Sequence, residues 1–394
     1  MGGVVRRVGG AKVKLLFTIK RLEQASGGSE RVLAHICSEL ARRGHDVSVL
    51  TWDRVGATPF YRFDSKVRIL NREIGSSERR TGLFEFARRL LDLRNVVISE
   101  RPDLAIGFGH STFVLLAFAA IGSGVTAVGS EHAAMPHYDR RPLQYLLLRI
   151  ATRLMAKVTV TSEDVGRAYT SDVRPKLIAV PNPILVDSKP PGPKRRNGPR
   201  VLNVGRLEEQ KDQATLIRAF TLIGDEFPNW HLRIVGEGTL RPKLQAQIES
   251  SGLAGRIELA GRISEIGAEY AAADLLALSS TYESFGLVSL EAMSYGLPVV
   301  GFADCPGTNE VVEHDVTGVL AGNKPDRVTS FSDALRKLMS DGSLRERLGD
   351  AGRSNATRRA AACDSVDRWE MLLNSIHRGR NPASSDRPPH RVTA

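Results

Sequence analysis

Two glutamates, Glu283 and Glu291, stand with seven residues between them in Tyr282-Glu-Ser-Phe-Gly-Leu-Val-Ser-Leu-Glu291. They bracket the start of an apolar helix in a chain whose net charge is +11. Two cations lie upstream in Asn203-Val-Gly-Arg-Leu-Glu-Glu-Gln-Lys-Asp212. Arg206 offers a planar fork and Lys211 a point charge, a pair suited to a diphosphate. A helix start near Phe285, Gly286 and Leu287 adds free backbone amides and the positive end of a helix dipole, which also favour phosphate. Carboxylates beside such a seat repel phosphate but accept hydrogen bonds from hydroxyls. The combination therefore points to a ligand carrying both a diphosphate and sugar-like hydroxyls.

Each element also has a plainer reading. Arg206 and Lys211 can pair with Glu208 and Glu209 on a surface loop, and Glu291 can be an exposed helix residue. A capping box at the helix start is excluded, because Ser284 as N-cap requires Glu or Gln at position 287, which is Leu. Gly236-Glu237-Gly238 and Gly261-Arg262-Ile263 each follow a strand. The first is a second phosphate-like turn, and the second frames a base through its backbone. Gly27 and Gly28 precede a helix, another amide end able to meet an anion. Ser130-Glu131-His132 follows a strand, where His132 hydrogen-bonds a sugar hydroxyl or simply packs. Residues 20–28 read KRLEQASGG, which is no GxGxxG fingerprint and disfavours a dinucleotide dehydrogenase. The chain has no Asp-x-Asp, so a metal clamped by paired aspartates is not indicated.

The elements that must position these residues alternate. Strands are predicted at 13–19, 47–51, 67–70, 103–107, 125–129, 158–161 and 177–180. The first helix, 29–43, has Val32, Leu33, Ile36 and Leu40 on one face. A Pro-, Gly- and Arg-rich stretch at 188–199 reads as a linker. The alternation resumes with strands at 201–204, 231–235, 257–259, 275–277 and 298–301, and helices at 212–223, 239–251 and 286–295. This rhythm gives an α/β fold of two doubly wound Rossmann-like domains, 1–187 and 200–362, facing a cleft. Residues 379–394 read as a disordered tail.

The bulk composition narrows the class. Cys37, Cys305 and Cys363 are few and far apart, which predicts a reducing, cytoplasmic setting without a disulfide framework. No secretory signal is visible. Residues 104–130 lack charge and are long enough to span a bilayer, but their glycines divide them into strand, helix and strand. The basic stretches 79–94 and 140–153 read either as solvated covering helices or as contacts to an anionic membrane surface. No nucleic-acid reading module is found, so a nucleic acid is not expected as partner.

Together, Gly205-Arg206 with Lys211-Asp212, Glu283-x7-Glu291, Gly296-Leu-Pro-Val, Gly27-Gly28-Ser-Glu-Arg31 and Thr317-Gly318 resemble the retaining, nucleotide-sugar-dependent glycosyltransferases of family four. The resemblance implies the GT-B fold, and a last helix (363–378, with Trp369) crossing back onto the first domain. It implies that Arg206 and Lys211 bind the donor diphosphate, Glu283 the transferred sugar and Glu291 the ribose. Amides near Gly286 and Leu287 would take a phosphate, and Gly27 and Gly28 would shape an acceptor or phosphate loop. His132 would be the first-domain active-site histidine. No cofactor is implied. The implied reaction moves a hexose or N-acetylhexosamine from a nucleotide sugar, UDP-linked by analogy, to a glycan or polyprenyl-diphosphate-linked acceptor in surface polysaccharide synthesis. A nucleotide-sugar epimerase or sugar phosphorylase on the same fold is the alternative.

Overall fold

The computed structural model describes residues 12–23, 27–75, 82–185, 198–362 and 364–380. Most of the expected linker (188–197), the tail from residue 381 and Arg79–Arg80 of the first basic stretch lie outside the described residues.

Two sheets form, and every strand pair in them is parallel. The first contains β1 (Lys14–Thr18), β2 (Asp46–Thr51), β3 (Arg68–Asn71), β4 (Leu104–Phe108), β5 (Thr126–Ser130), β6 (Lys157–Val160) and β7 (Leu177–Ala179), in the order β3-β2-β1-β4-β5-β6-β7. The second contains β8 (Arg200–Val204), β9 (His231–Val235), β10 (Ile257–Gly261), β11 (Leu275–Ala277), β12 (Val299–Phe302) and β13 (Gly318–Ala321), in the order β10-β9-β8-β11-β12-β13. Both are doubly wound. The chain reverses direction across the sheet between β1 and β4, and again between β8 and β11. Ligands of such sheets bind beyond the strand ends at those reversals.

The charge-free stretch 104–130 is β4, α3 (His110–Ala119) and β5. All five residues of β4 are buried, as expected of a central strand covered on both faces. Among the described residues no helix is long and apolar enough to cross a membrane. Helix α1 (Gly28–Arg42) buries Val32, Leu33, Ile36 and Leu40 against the first sheet. Helices α2 (Leu83–Glu100) and α4 (Pro142–Leu154) flank α3 on the opposite face.

Around the second sheet lie α6 (Gln213–Leu222), α7 (Arg241–Ser250), α8 (Ile266–Ala272), α9 (Leu287–Ser294), α10 (Arg327–Ser340) and α11 (Gly342–Ala362), while the short α5 (Glu163–Ala168) belongs to the first. Strand β13 and helices α10 and α11 were not anticipated from the sequence. Helix α12 (Ser365–Arg380) runs two residues beyond the expected start of the tail. Its Val366, Trp369, Leu372 and Leu373 join the core of the first sheet, and Trp369 stacks on Phe108 with ring centroids 6.3 Å apart. Arg43 of the first domain binds Asp367 and, at 2.6 Å, Glu370.

Trp369 is only 2% exposed. Trp369→Ala is expected to lower the unfolding free energy by about 3–5 kcal/mol in denaturant titration. A loss below about 1 kcal/mol would mean that α12 contributes little to the first core.

Candidate active site

The reversal in the second sheet sets the loop after β8 beside the loop after β11. The first loop ends in a single helical turn, Glu209–Lys211, and Asp212 then takes a left-handed conformation (φ 44°) and accepts the Thr215 amide to cap α6. Residues 279–282 are tied to this turn. The Thr281 amide donates to Gln210 O (2.9 Å), Gln210 Nε2 to Tyr282 O (2.9 Å) and Ser279 Oγ to Lys211 O (2.9 Å). Held in this way, Lys211 Nζ donates to Glu283 Oε1 at 2.6 Å and to Oε2 at 2.8 Å. Ser280 Oγ donates to Oε1 as well, at 2.6 Å. Lys211 thus pairs with Glu283 and not with Glu208 or Glu209, whereas Arg206 does pair with Glu208 (3.0 Å) and remains half-exposed.

Glycines bring the backbone close enough for this arrangement. Gly286, the N-cap of α9, is left-handed (φ 68°), and a Cβ there would fall 2.6 Å from Gly307 O. The Cys305-Pro306-Gly307 loop supports Glu283 from behind, with Pro306 O accepting the Glu283 amide at 2.7 Å. Neither α9 nor α1 has a side-chain cap, and each begins on a glycine N-cap. The two amide ends adjoin, since a Cβ on Gly28 would lie 3.8 Å from Leu287 Cδ1. Gly27 is extended, and the Glu30 carboxylate folds back against it.

Glu291 is 8% exposed, so it is not a surface helix residue. It reaches across to the first domain, accepting Arg31 Nη1 on Oε1 at 2.6 Å, while Tyr270 OH donates to Oε2 at 3.0 Å. Burial raises its carboxyl above the ordinary range, and Arg31 and Tyr270 pull it back.

On the first domain, His132 lies over Phe108 with ring centroids 4.3 Å apart. Ser130 Oγ, which accepts from Thr159 Oγ1, lies 2.9 Å from His132 Nε2. Burial pushes His132 down to about 4, so it is neutral at neutral pH. Glu131 points the other way. It accepts the Ala133 amide (2.7 Å) and Tyr138 OH (2.7 Å), and burial pushes it up to about 7.

Other expected residues sit at the edge of this site. Glu237 is engaged by Arg241 (2.7 Å), and Gly236 (φ 147°) lies against Gly205, where a Cβ would come within 1.9 Å of the carbonyl oxygen. Arg262 is exposed and Ile263 packs on the second core. The basic stretches are largely consumed internally. Arg89 is buried on Glu85 and Ile74 O, Arg94 binds the carbonyls of Ala119 and Ile121, and Arg149 and Arg153 share Asp172. Sequence reasoning missed the roles of Ser280, Pro306, Arg31 and Tyr270. Arg31 was present in the quoted Gly27-Gly28-Ser-Glu-Arg31 motif, but its partner Glu291 is distant in the chain.

A family model described as Glycosyltransferase Family 4 matches residues 26–187, and one described as Glycosyl transferases group 1 continues over 187–355. The chain is a family 4 glycosyltransferase. An exopolysaccharide phosphotransferase of Streptomyces coelicolor is 29% identical to this glycosyltransferase over 93% of its chain, which spans 42% of that relative's length. A Campylobacter jejuni α-1,4-N-acetyl-D-galactosaminyltransferase, named for a PP-undecaprenol-linked glycan, is 24% identical over 85% of this chain and 91% of its own. Among solved structures, the HepE protein of Anabaena with UDP and glucose superposes with a TM-score of 0.71 at 20% identity, covering 92% of the glycosyltransferase and all of that chain. The likeness is one of fold, GT-B.

The state of His132 can be tested by titration. Its depressed value means that the unfolded chain binds the proton first, so its contribution to stability is present above 6.5 and is lost as pH falls toward about 4. The stability difference between wild type and His132→Gln is expected to shrink over that window in melting experiments. A difference independent of pH would show that His132 titrates normally.

Proposed function

We propose that the glycosyltransferase moves a hexose or N-acetylhexosamine from a nucleoside diphosphate sugar to a glycan or polyprenyl-diphosphate-linked acceptor, with retention at the anomeric carbon. The observation that carries this reading is the Lys211–Glu283 pair at the sheet reversal, beside the two uncapped helix ends. In this account the donor diphosphate draws Lys211 Nζ away from Glu283 and lies against the amides at Leu287, with Arg206 turning from Glu208 to join it. Glu283, still oriented by Ser280 and the Pro306 carbonyl, then accepts hydroxyls of the sugar. Glu291 receives the ribose, and neutral His132 bonds a sugar hydroxyl from the opposite wall.

Chemistry follows on one face of the sugar. The bond from the anomeric carbon to the leaving phosphate oxygen breaks, the acceptor oxygen bonds to that carbon, and the acceptor proton passes to the leaving phosphate. Lys211, Arg206 and the α9 amides stabilise the charge gathering on the diphosphate. Glu283 positions the sugar and does not attack it. The charge these groups carry suffices without a bridging metal.

UDP is the proposed donor nucleotide, supported by the UDP and glucose bound to the Anabaena protein of like fold. A lipid-diphosphate acceptor, and a place in cell-surface polysaccharide synthesis, are supported by the names of the Campylobacter and Streptomyces relatives. Peripheral contact with the cytoplasmic membrane face would rest less on Arg89, Arg94, Arg149 and Arg153, which are paired within the chain, than on Leu83 and Phe84 of α2 and Leu143 and Leu146 of α4. All four are exposed, with Arg88, Arg140 and Arg141 nearby in sequence.

The test pairs UDP-, GDP- and ADP-sugars with a polyprenyl-diphosphate-linked glycan and reads the anomeric configuration of the product. Transfer with retention from one nucleotide class is expected, and Glu283→Gln should slow it by about a hundredfold or more. Inversion, or near-full turnover in Glu283→Gln, would overturn the reading.

A further inference from the structure

Arg31 lies in the first turn of α1, on the first domain, yet its closest charged partner is Glu291 of α9 on the second. The pair borders a cavity of about 360 Å³, within the range of small-molecule sites. Leu185, Tyr270, Tyr295 and residues 264–268 form the other walls. An ionised carboxylate offers about four acceptor positions. Arg31 takes one on Oε1 and Tyr270 one on Oε2. One position on each oxygen remains, the number needed for the two adjacent hydroxyls of a ribose.

We propose that Arg31 is a positioning residue of the donor site, holding the Glu291 carboxylate so that its two remaining acceptor positions face the ribose and making nucleotide affinity depend on a contact between the domains. The inference rests on the proposed donor role of Glu291. Arg31 itself need not touch the nucleotide. Among the described residues, the charged and titratable groups around Glu291 are Arg31 and Glu30 of α1, Tyr61 between β2 and β3, Tyr270 of α8, Tyr295 after α9, and Glu265 at the cavity edge. Arg31 is the cation among them. Burial alone drives Glu291 toward its neutral form, in which one oxygen becomes a donor and an acceptor position for the ribose is lost. Without Arg31 this tendency has less to oppose it. Donor affinity should then fall as pH falls, since protons compete with the nucleotide for the carboxylate.

The test is calorimetric titration of UDP, GDP and ADP, each in turn, into wild type, Arg31→Met, Arg31→Lys, Glu291→Ala and the Arg31→Met/Glu291→Gln double variant, with melting curves for each. Arg31→Met is expected to weaken the diphosphate that binds wild type best by about tenfold to a hundredfold. The deficit should grow as pH falls, shrink in Arg31→Lys and lose its pH slope in the double variant. A lost contact that was merely structural would not give a slope that Glu291→Gln abolishes. Wild-type affinity in Arg31→Met, or a deficit independent of pH, would overturn the inference alone. Wild-type affinity in Glu291→Ala would overturn the donor reading beneath it. If Arg31→Met fails to fold, Arg31→Lys carries the same comparison with a smaller expected shift.

Discussion

A carboxylate taken out of water must find a cation or a set of donors, and the second domain is arranged around that requirement at Glu283. Its side chain is about as covered as that of Lys211, at 13% and 14% exposure. Leaving either partner alone in such a place is costly. The loops after β8 and β11 are therefore fastened to one another by Thr281, Gln210 and Ser279, and the Cys305–Gly307 loop closes behind. What results is a charge pair that is satisfied without ligand and can exchange one partner for another. A diphosphate offers Lys211 a stronger anion, and a sugar offers Glu283 neutral donors.

The same logic applies at Glu291, with the difference that its cation comes from the other domain. The two carboxylates on either side of the α9 N-terminus are thus neutralised from opposite sides of the cleft: Glu283 from the loop after β8, Glu291 from α1. Between them lie the adjoining ends of α1, where the Glu30 carboxylate folds against Gly27, and of α9, whose amides favour negative charge. Helix α12 adds the third tie. By burying Trp369 against Phe108 it links the end of the chain to the ring on which His132 rests, so the opposite wall of the site depends on the last helix as well as on the first sheet.

Much of this frame is legible in the sequence because it depends on local rules. The buried parallel strands announce themselves as short apolar runs, and β9 and β11 fall at their predicted limits. The positions of Lys211 and Glu283 follow from counting to the strand ends. Strand β13 was not legible, because Gly318-Val-Leu-Ala is only four residues long, too short for its alternation to show. The long helix α11 carries Gly349 and Gly352 where it packs against α9, and these weaken its helical signal. The Arg31–Glu291 pair could not be read, since the two residues are 260 positions apart. In the basic stretches, charge counts do not show that Asp172, Glu85 and backbone carbonyls engage Arg89, Arg94, Arg149 and Arg153.

The central claim is a division of labour, in which Lys211 holds phosphate and Glu283 holds sugar hydroxyls. It is tested most directly by comparing the affinity of a bare nucleoside diphosphate with that of its sugar conjugate, in Lys211→Ala and in Glu283→Gln. The account predicts that Lys211→Ala weakens both ligands, while Glu283→Gln weakens the conjugate and leaves the bare diphosphate as tight as before or tighter, because Lys211 is then released. Equal losses for both ligands in Glu283→Gln, or an unchanged affinity for the diphosphate in Lys211→Ala, would contradict it.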